Sequence, residues 1–155
     1  MLSSVDRLLF VRKVNIFNEL RDDFLVRLAS VMQELSFPAG HPIVKYGEEG
    51  RSLYIIVSGR VRVHLGDREL AELVQGQCFG EMSVFDAEPR SASVTTLESC
   101  ECLTLTQQHL YEAIEETSGL AINVIRLLSR RIRGINQEVD TLKDEMSLIK
   151  PNLHF

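Results

Sequence analysis

The chain has 155 residues, 45% of them apolar and 25% charged. A chain this long buries roughly 70% of its unfolded surface around one core, and ordinary composition excludes global disorder or collagen-like repetition. The 17 basic and 22 acidic residues give a net charge of −5. That balance excludes a protein that coats nucleic acid through a general positive field, so any anion must be held by a local site.

At the N-terminus, Asp6 and Arg7 come early, and Arg12 and Lys13 interrupt the apolar stretch that follows. This is not the pattern of a secretion signal. No apolar run reaches the ~18 residues that span a bilayer. Residues 4–35 carry apolar side chains at helical spacing, from Leu8 through Phe17, Leu20, Phe24 and Leu28 to Met32. Pro38-Ala39-Gly40 ends that segment.

Over residues 36–106 the texture changes to short β-branched runs punctuated by glycine. Leu53–Val57 and Val61–Leu65 are two such runs, and Ser58-Gly59-Arg60 between them reads as a tight hairpin turn. Glu69–Val74, Ala92–Thr95 and Leu103–Leu105 continue the series. Short strands at this spacing predict a small barrel or sandwich.

Helical spacing returns over residues 107–150, first in a short helix that Ser118-Gly119 interrupts. In the longer helix, Ala121, Ile125, Leu128, Ile132, Ile135, Val139, Leu142, Met146 and Ile149 alternate steps of four and three up to Pro151. That is a heptad seam, and beyond Asn136 the rest of the helix is nearly all polar. A seam so narrow predicts a partner helix and hence a homodimer. Arg126, Arg130 and Arg133 form a basic stripe that reads as a solvated face. Cys78, Cys100 and Cys102 are odd in number and set among apolar residues. They predict reduced, structural thiols in a cytoplasmic protein, and Cys100-x-Cys102 lacks the second pair a zinc site needs.

The chemistry concentrates in residues 78–94. Gly80 permits close approach of backbone to a ligand. Glu81–Phe85 could form one helical turn whose first amides face an anion. Pro89 sets a rigid turn, which holds Arg90 at the start of a strand, and a guanidinium fork fits a phosphate. Glu81 can accept from hydroxyls such as those of a ribose. Each residue also has a plainer explanation: Arg90 as a solvated turn residue, Glu81 as an acid favoured at a helix start.

Phe79-Gly80-Glu81-Met82-Ser83 followed by Pro89-Arg90-Ser91-Ala92 closely resembles the phosphate-binding cassette of the cyclic nucleotide-binding domain family. Phe37–Gly50 and Leu53–Val63 resemble further motifs of the same family, and the likeness covers about residues 10–140. The resemblance implies an α+β fold: a jelly-roll β-barrel (a double-stranded β-helix) flanked by N-terminal helices and a long C-terminal helix. It implies one domain over residues 1–155, with helices over 4–35, the barrel over 36–106 and helices over 107–150.

The resemblance also implies roles. Arg90 pairs with the cyclic phosphate and Glu81 accepts from the ribose 2′-hydroxyl. Gly80 faces the ribose, Met82 and Ser83 offer amides to the phosphate, Ser91 adds a hydroxyl, and Ala92 leaves the pocket open. Gly47, Gly50 and Gly59 are turn glycines. In the long helix Ile135 and Asn136 fall opposite the adenine contact of family members, but both also fit the seam and its flank. The implied ligand is cAMP, with cGMP possible, and no metal. The implied molecule is a regulatory sensor whose effector domain or protein lies outside this chain. The winged helix of family transcription factors does not follow the long helix, so no direct DNA binding is expected. A metal-dependent enzyme on the same fold needs clustered histidines, and His41, His64, His109 and His154 are scattered, so no enzyme is expected. The alternative is a degenerate barrel that dimerises without ligand.

Overall fold

The computed structural model describes residues 1–149. Helix α1 (Ser4–Arg12) starts at a capping box, in which Ser3 accepts from the Asp6 amide and Asp6 from the Ser3 amide. Helix α2 spans Asp22–Val31. The single helical segment expected over residues 4–35 is therefore two helices, and its last residues are strand. Between the helices the backbone closes Val14→Val11, Phe17→Val14 and Leu20→Phe17 hydrogen bonds. These three-residue turns bury Val11, Val14, Phe17 and Leu20 on one side, so a step of three mimicked helical spacing.

Strand β1 (Gln33–Phe37) pairs antiparallel with β8 (Cys100–Thr106), which also pairs with β3 (Ser52–Ser58), and β3 with β6 (Cys78–Phe79). The second sheet has the order β2 (Pro42–Val44), β7 (Ser93–Thr96), β4 (Val61–Leu65), β5 (Arg68–Leu73). Both four-stranded sheets are antiparallel, and no ladder closes them into a continuous barrel. The expected α+β jelly roll is present in this open form. Ser58-Gly59-Arg60 is not a hairpin, because β3 and β4 belong to different sheets. It is a corner, and a Cβ at Gly59 would come within 2.6 Å of Cys100 Sγ and of the Ser99 carbonyl. The hairpin that does form joins β4 to β5 through Gly66-Asp67.

Alternation in β3 and β8 assigns each face. Leu53, Ile55, Leu103 and Leu105 join the larger cluster under the helices. Ile56 and Cys100 join the smaller one, with Val44, Val61, Phe79 and Val94, between the sheets. The first sheet is thus covered on both sides. Helix α4 (Gln107–Glu116), capped by Thr106, and helix α5 (Ser118–Ile149) complete the larger cluster with Leu110, Ala113, Leu120, Val124 and Leu127. Those α5 residues are not the heptad seam. Ile125, Ile132, Ile135, Val139, Leu142 and Met146 stay exposed, and every residue from 129 to 149 is exposed. The expected stop at Pro151 lies outside the described residues.

Candidate functional site

The segment 45–50 folds against residues 88–90, which precede β7. Arg90 is therefore held by an isolated bridge between Glu49 and Pro89 and not at the start of a strand, since β7 begins only at Ser93. The Arg90 amide donates to the Glu48 carbonyl at 2.8 Å, and the Gly47 amide to the Arg90 carbonyl at 2.9 Å. The Gly50 amide donates to the Glu88 carbonyl at 3.1 Å. This ladder fixes the backbone of Arg90. Its guanidinium turns inward, with Nη1 donating to Ser83 Oγ at 3.0 Å and Nη2 to the Ser52 carbonyl at 2.9 Å.

Two glycines make room for that side chain. Gly80 has φ +77°, and a Cβ there would lie 2.4 Å from Arg90 Nη1 and 2.7 Å from the Ser52 carbonyl. Gly50 was expected to serve a turn, but its backbone is not left-handed. A Cβ there would lie 2.6 Å from Arg90 Nε and 2.7 Å from Ser83 Oγ. Burial pulls the pKa of Arg90 down, opposed by Tyr54. Among the described residues Arg90 forms no ion pair; both acceptors of its guanidinium are neutral. A half-buried cation without a carboxylate is disposed to take an anion.

Arg90 borders a cavity of about 320 Å³, the size of a pocket for one small ligand. Gly80, Glu81, Met82, Ser83, Arg90, Ser91 and Ala92 all line it, so seven of the nine expected site residues meet there. Its apolar floor is Val44, Val63, Phe79 and Val94, with Asp86 and Glu88 also on its wall. Sequence reasoning did not select these residues. Val63 and Val94 carry a signal, since alternation in β4 and β7 points them between the sheets. The Ser52 carbonyl carries none, because any residue has one.

The helical turn runs Ser83–Asp86, later than the expected Glu81–Phe85, and ends on Ala87 in the left-handed region. The Ser83 amide donates to the Gly80 carbonyl at 3.1 Å. Its expected role as an amide donor to phosphate is therefore taken up by the turn, and its hydroxyl is what meets Arg90. Glu81 Oε2 accepts from the Cys78 thiol at 3.0 Å. Ile135 and Asn136 do not line the cavity; both lie on the exposed part of α5, Ile135 at 56% exposure. No helix among the described residues is long and apolar enough to cross a membrane.

A family model described as a cyclic nucleotide-binding domain matches residues 34–117. The cyclic AMP receptor protein of Thermus thermophilus is 37% identical over 135 residues, covering 84% of this chain and 62% of that protein. A cGMP-dependent protein kinase of Toxoplasma gondii is 35% identical over 101 residues, 65% of this chain and 10% of the kinase. The solved N-terminal domain of a transcriptional regulator from Streptomyces coelicolor matches with a TM-score of 0.73 and 29% identity. That match covers 83% of this chain and 93% of the solved one. The chain spans about three-fifths of the length of the bacterial cAMP-linked relatives.

Proposed function

The chain belongs to the cyclic nucleotide-binding domain family, and from that premise we propose that it is a regulatory, non-enzymatic sensor of cAMP that reports binding through α5. The observation that carries this reading is the half-buried Arg90 cation, which has no carboxylate partner and borders a cavity of about 320 Å³. A cyclic phosphate is a monoanion that a guanidinium fork can hold at two oxygens. In this reading Arg90 and the Ser83 and Ser91 hydroxyls serve the phosphate, and Glu81 accepts from the ribose 2′-hydroxyl. Gly80 and Ala92 leave space, and the apolar floor of Val44, Val63 and Val94 takes the hydrophobic faces of the nucleoside. An intact Arg90 and Glu81 argue against a degenerate barrel. The name of the Thermus relative favours cAMP; the kinase relative makes cGMP the ligand to test beside it.

Residues 1–155 form one sensor domain in this proposal, since the helices and the first sheet share a single hydrophobic cluster. Ile135 and Asn136 are placed against the purine by family resemblance. With residues 129–149 exposed, that contact requires α5 to rearrange or to come from a second copy in a parallel homodimer. Ligand and helix would then be linked, and a nucleotide that favours the docked helix is favoured by it in return. An effector outside this chain receives the signal.

Calorimetric titration with cAMP and cGMP tests the sensor reading. The wild type should bind cAMP more tightly. Arg90→Ala should weaken binding by roughly 30-fold or more, the effect of losing a buried charged partner. Unchanged binding in Arg90→Ala would remove the cradle.

A further inference from the structure

Strand β6 places Cys78 three residues before Glu81, and the thiol donates to Glu81 Oε2 at 3.0 Å. Cys78 packs on the larger cluster and is absent from the cavity lining, whereas Glu81 lines the cavity. The carboxylate is therefore held from its core side. A carboxylate has about four acceptor sites, so one bond to the thiol leaves others free to face a ligand. Burial, the bond to Glu81 and the charge of Glu81 all push the thiol's pKa upward. The sulfur thus stays protonated through neutral pH and keeps a proton to donate.

We propose that Cys78 is a positioning residue for ligand selectivity: its thiol pins the Glu81 carboxylate in the orientation that accepts from a ribose 2′-hydroxyl. The inference rests on the role given to Glu81 in the sensor reading. It assigns discrimination between ribo and 2′-deoxyribo cyclic nucleotides partly to a side chain that touches neither. A sulfur that only filled space could be replaced by an apolar side chain of similar size without moving that discrimination. A donor could not.

The test measures binding of cAMP and of 2′-deoxy-cAMP by calorimetry for the wild type, Cys78→Ala, Cys78→Val and Cys78→Ser. Valine keeps bulk and suits a strand, so it carries the test if alanine fails to fold. Loss of one net hydrogen bond should weaken cAMP binding about 5-fold in Cys78→Ala and Cys78→Val. Binding of 2′-deoxy-cAMP should stay within about 2-fold. Cys78→Ser restores a donor and should recover most of the wild-type ratio. Equal losses for both ligands, no loss for either, or a serine variant that behaves like valine would overturn the inference while leaving the sensor reading in place. A wild type that binds neither nucleotide overturns the sensor reading and this inference with it.

Discussion

A Cβ placed on Gly50 falls 2.6 Å from Arg90 Nε and 2.7 Å from Ser83 Oγ, two partners in one hydrogen-bonded cluster. Contacts that short force a shift, and here the atoms that must shift belong to the proposed phosphate cradle. Gly50→Ala requires no disfavoured backbone angle, so the fold should tolerate it. Overpacking of this kind costs about 1–3 kcal/mol. If it is absorbed by displacing Arg90, cAMP affinity should fall about 10-fold or more, with a thermal midpoint close to wild type. Calorimetry and a melting curve on the same sample check this. A variant that melts early but binds normally would show that the strain goes into the fold and not into the site. By contrast Gly134 has nothing within 4 Å of its notional Cβ, so a methyl group there meets open space.

Helix α5 has two apolar faces with different owners. Leu120, Val124 and Leu127 are buried in the chain's own core, at 0%, 4% and 0% exposure. Ile125, Ile132, Val139 and Leu142 are exposed at 61%, 58%, 42% and 57%. An exposed helix beyond residue 129 forgoes the tertiary packing that supplies most helical stability in proteins. The proposed second copy would bury this seam. Val139→Glu with Leu142→Glu should therefore give a monomer with a folded jelly roll, read by light scattering and circular dichroism. A wild type that is monomeric at high micromolar concentration would remove the dimer. Gly134→Ala fills open space in a helix and should stabilise it by about 1 kcal/mol. Amide exchange over residues 130–142 should then slow without ligand, and cAMP should slow it further. Protection confined to residues 79–92 would mean binding without transmission.

Across the whole molecule, three free thiols sit in the fold. Cys100 and Cys102 are buried and Cys78 is half-buried. Burial pushes the pKa of each upward, that of Cys102 to about 12. An unfolded thiol ionises near 8.5. The folded chain therefore holds protons that the unfolded chain releases in alkali. Their contribution is fully present below about pH 8.5 and is lost as pH rises through the folded-state values. Under reducing conditions the urea midpoint should stay level, as far as these groups are concerned, from about pH 6 to 8 and fall between about 9 and 12. Tyr54, also raised by burial, adds to the fall at its upper end. Cys102→Val should flatten part of that slope. An unchanged slope would mean that other groups set the alkaline limit.

The local features of this fold were legible because local chemistry dictates them. The β-branched runs at Leu53–Val57 and Val61–Leu65 lie within β3 and β4, and the cassette residues from Gly80 to Ala92 meet on one cavity. Two helices form from Gln107 onward, though they break at Thr117, and Ser118-Gly119 opens the second helix instead of interrupting it. Strand alternation, helical spacing and a glycine-bounded turn each act over a few residues, so order along the chain suffices to place them. What tertiary structure decided is which surfaces meet. Ser58-Gly59-Arg60 could join two strands of one sheet or turn the chain between sheets, and the crowding against Cys100 marks it as the corner. Gly50 could serve a turn or clear space, and only the arrival of Arg90 from forty residues away distinguishes them. Gln33–Phe37 became strand because β8 offers it a partner, and Leu120 rather than Ile125 faces inward because α4 and the first sheet cover that side. Each of these choices is made by a neighbour distant in sequence, through excluded volume or a backbone hydrogen bond, and neither leaves a periodic trace in the chain itself.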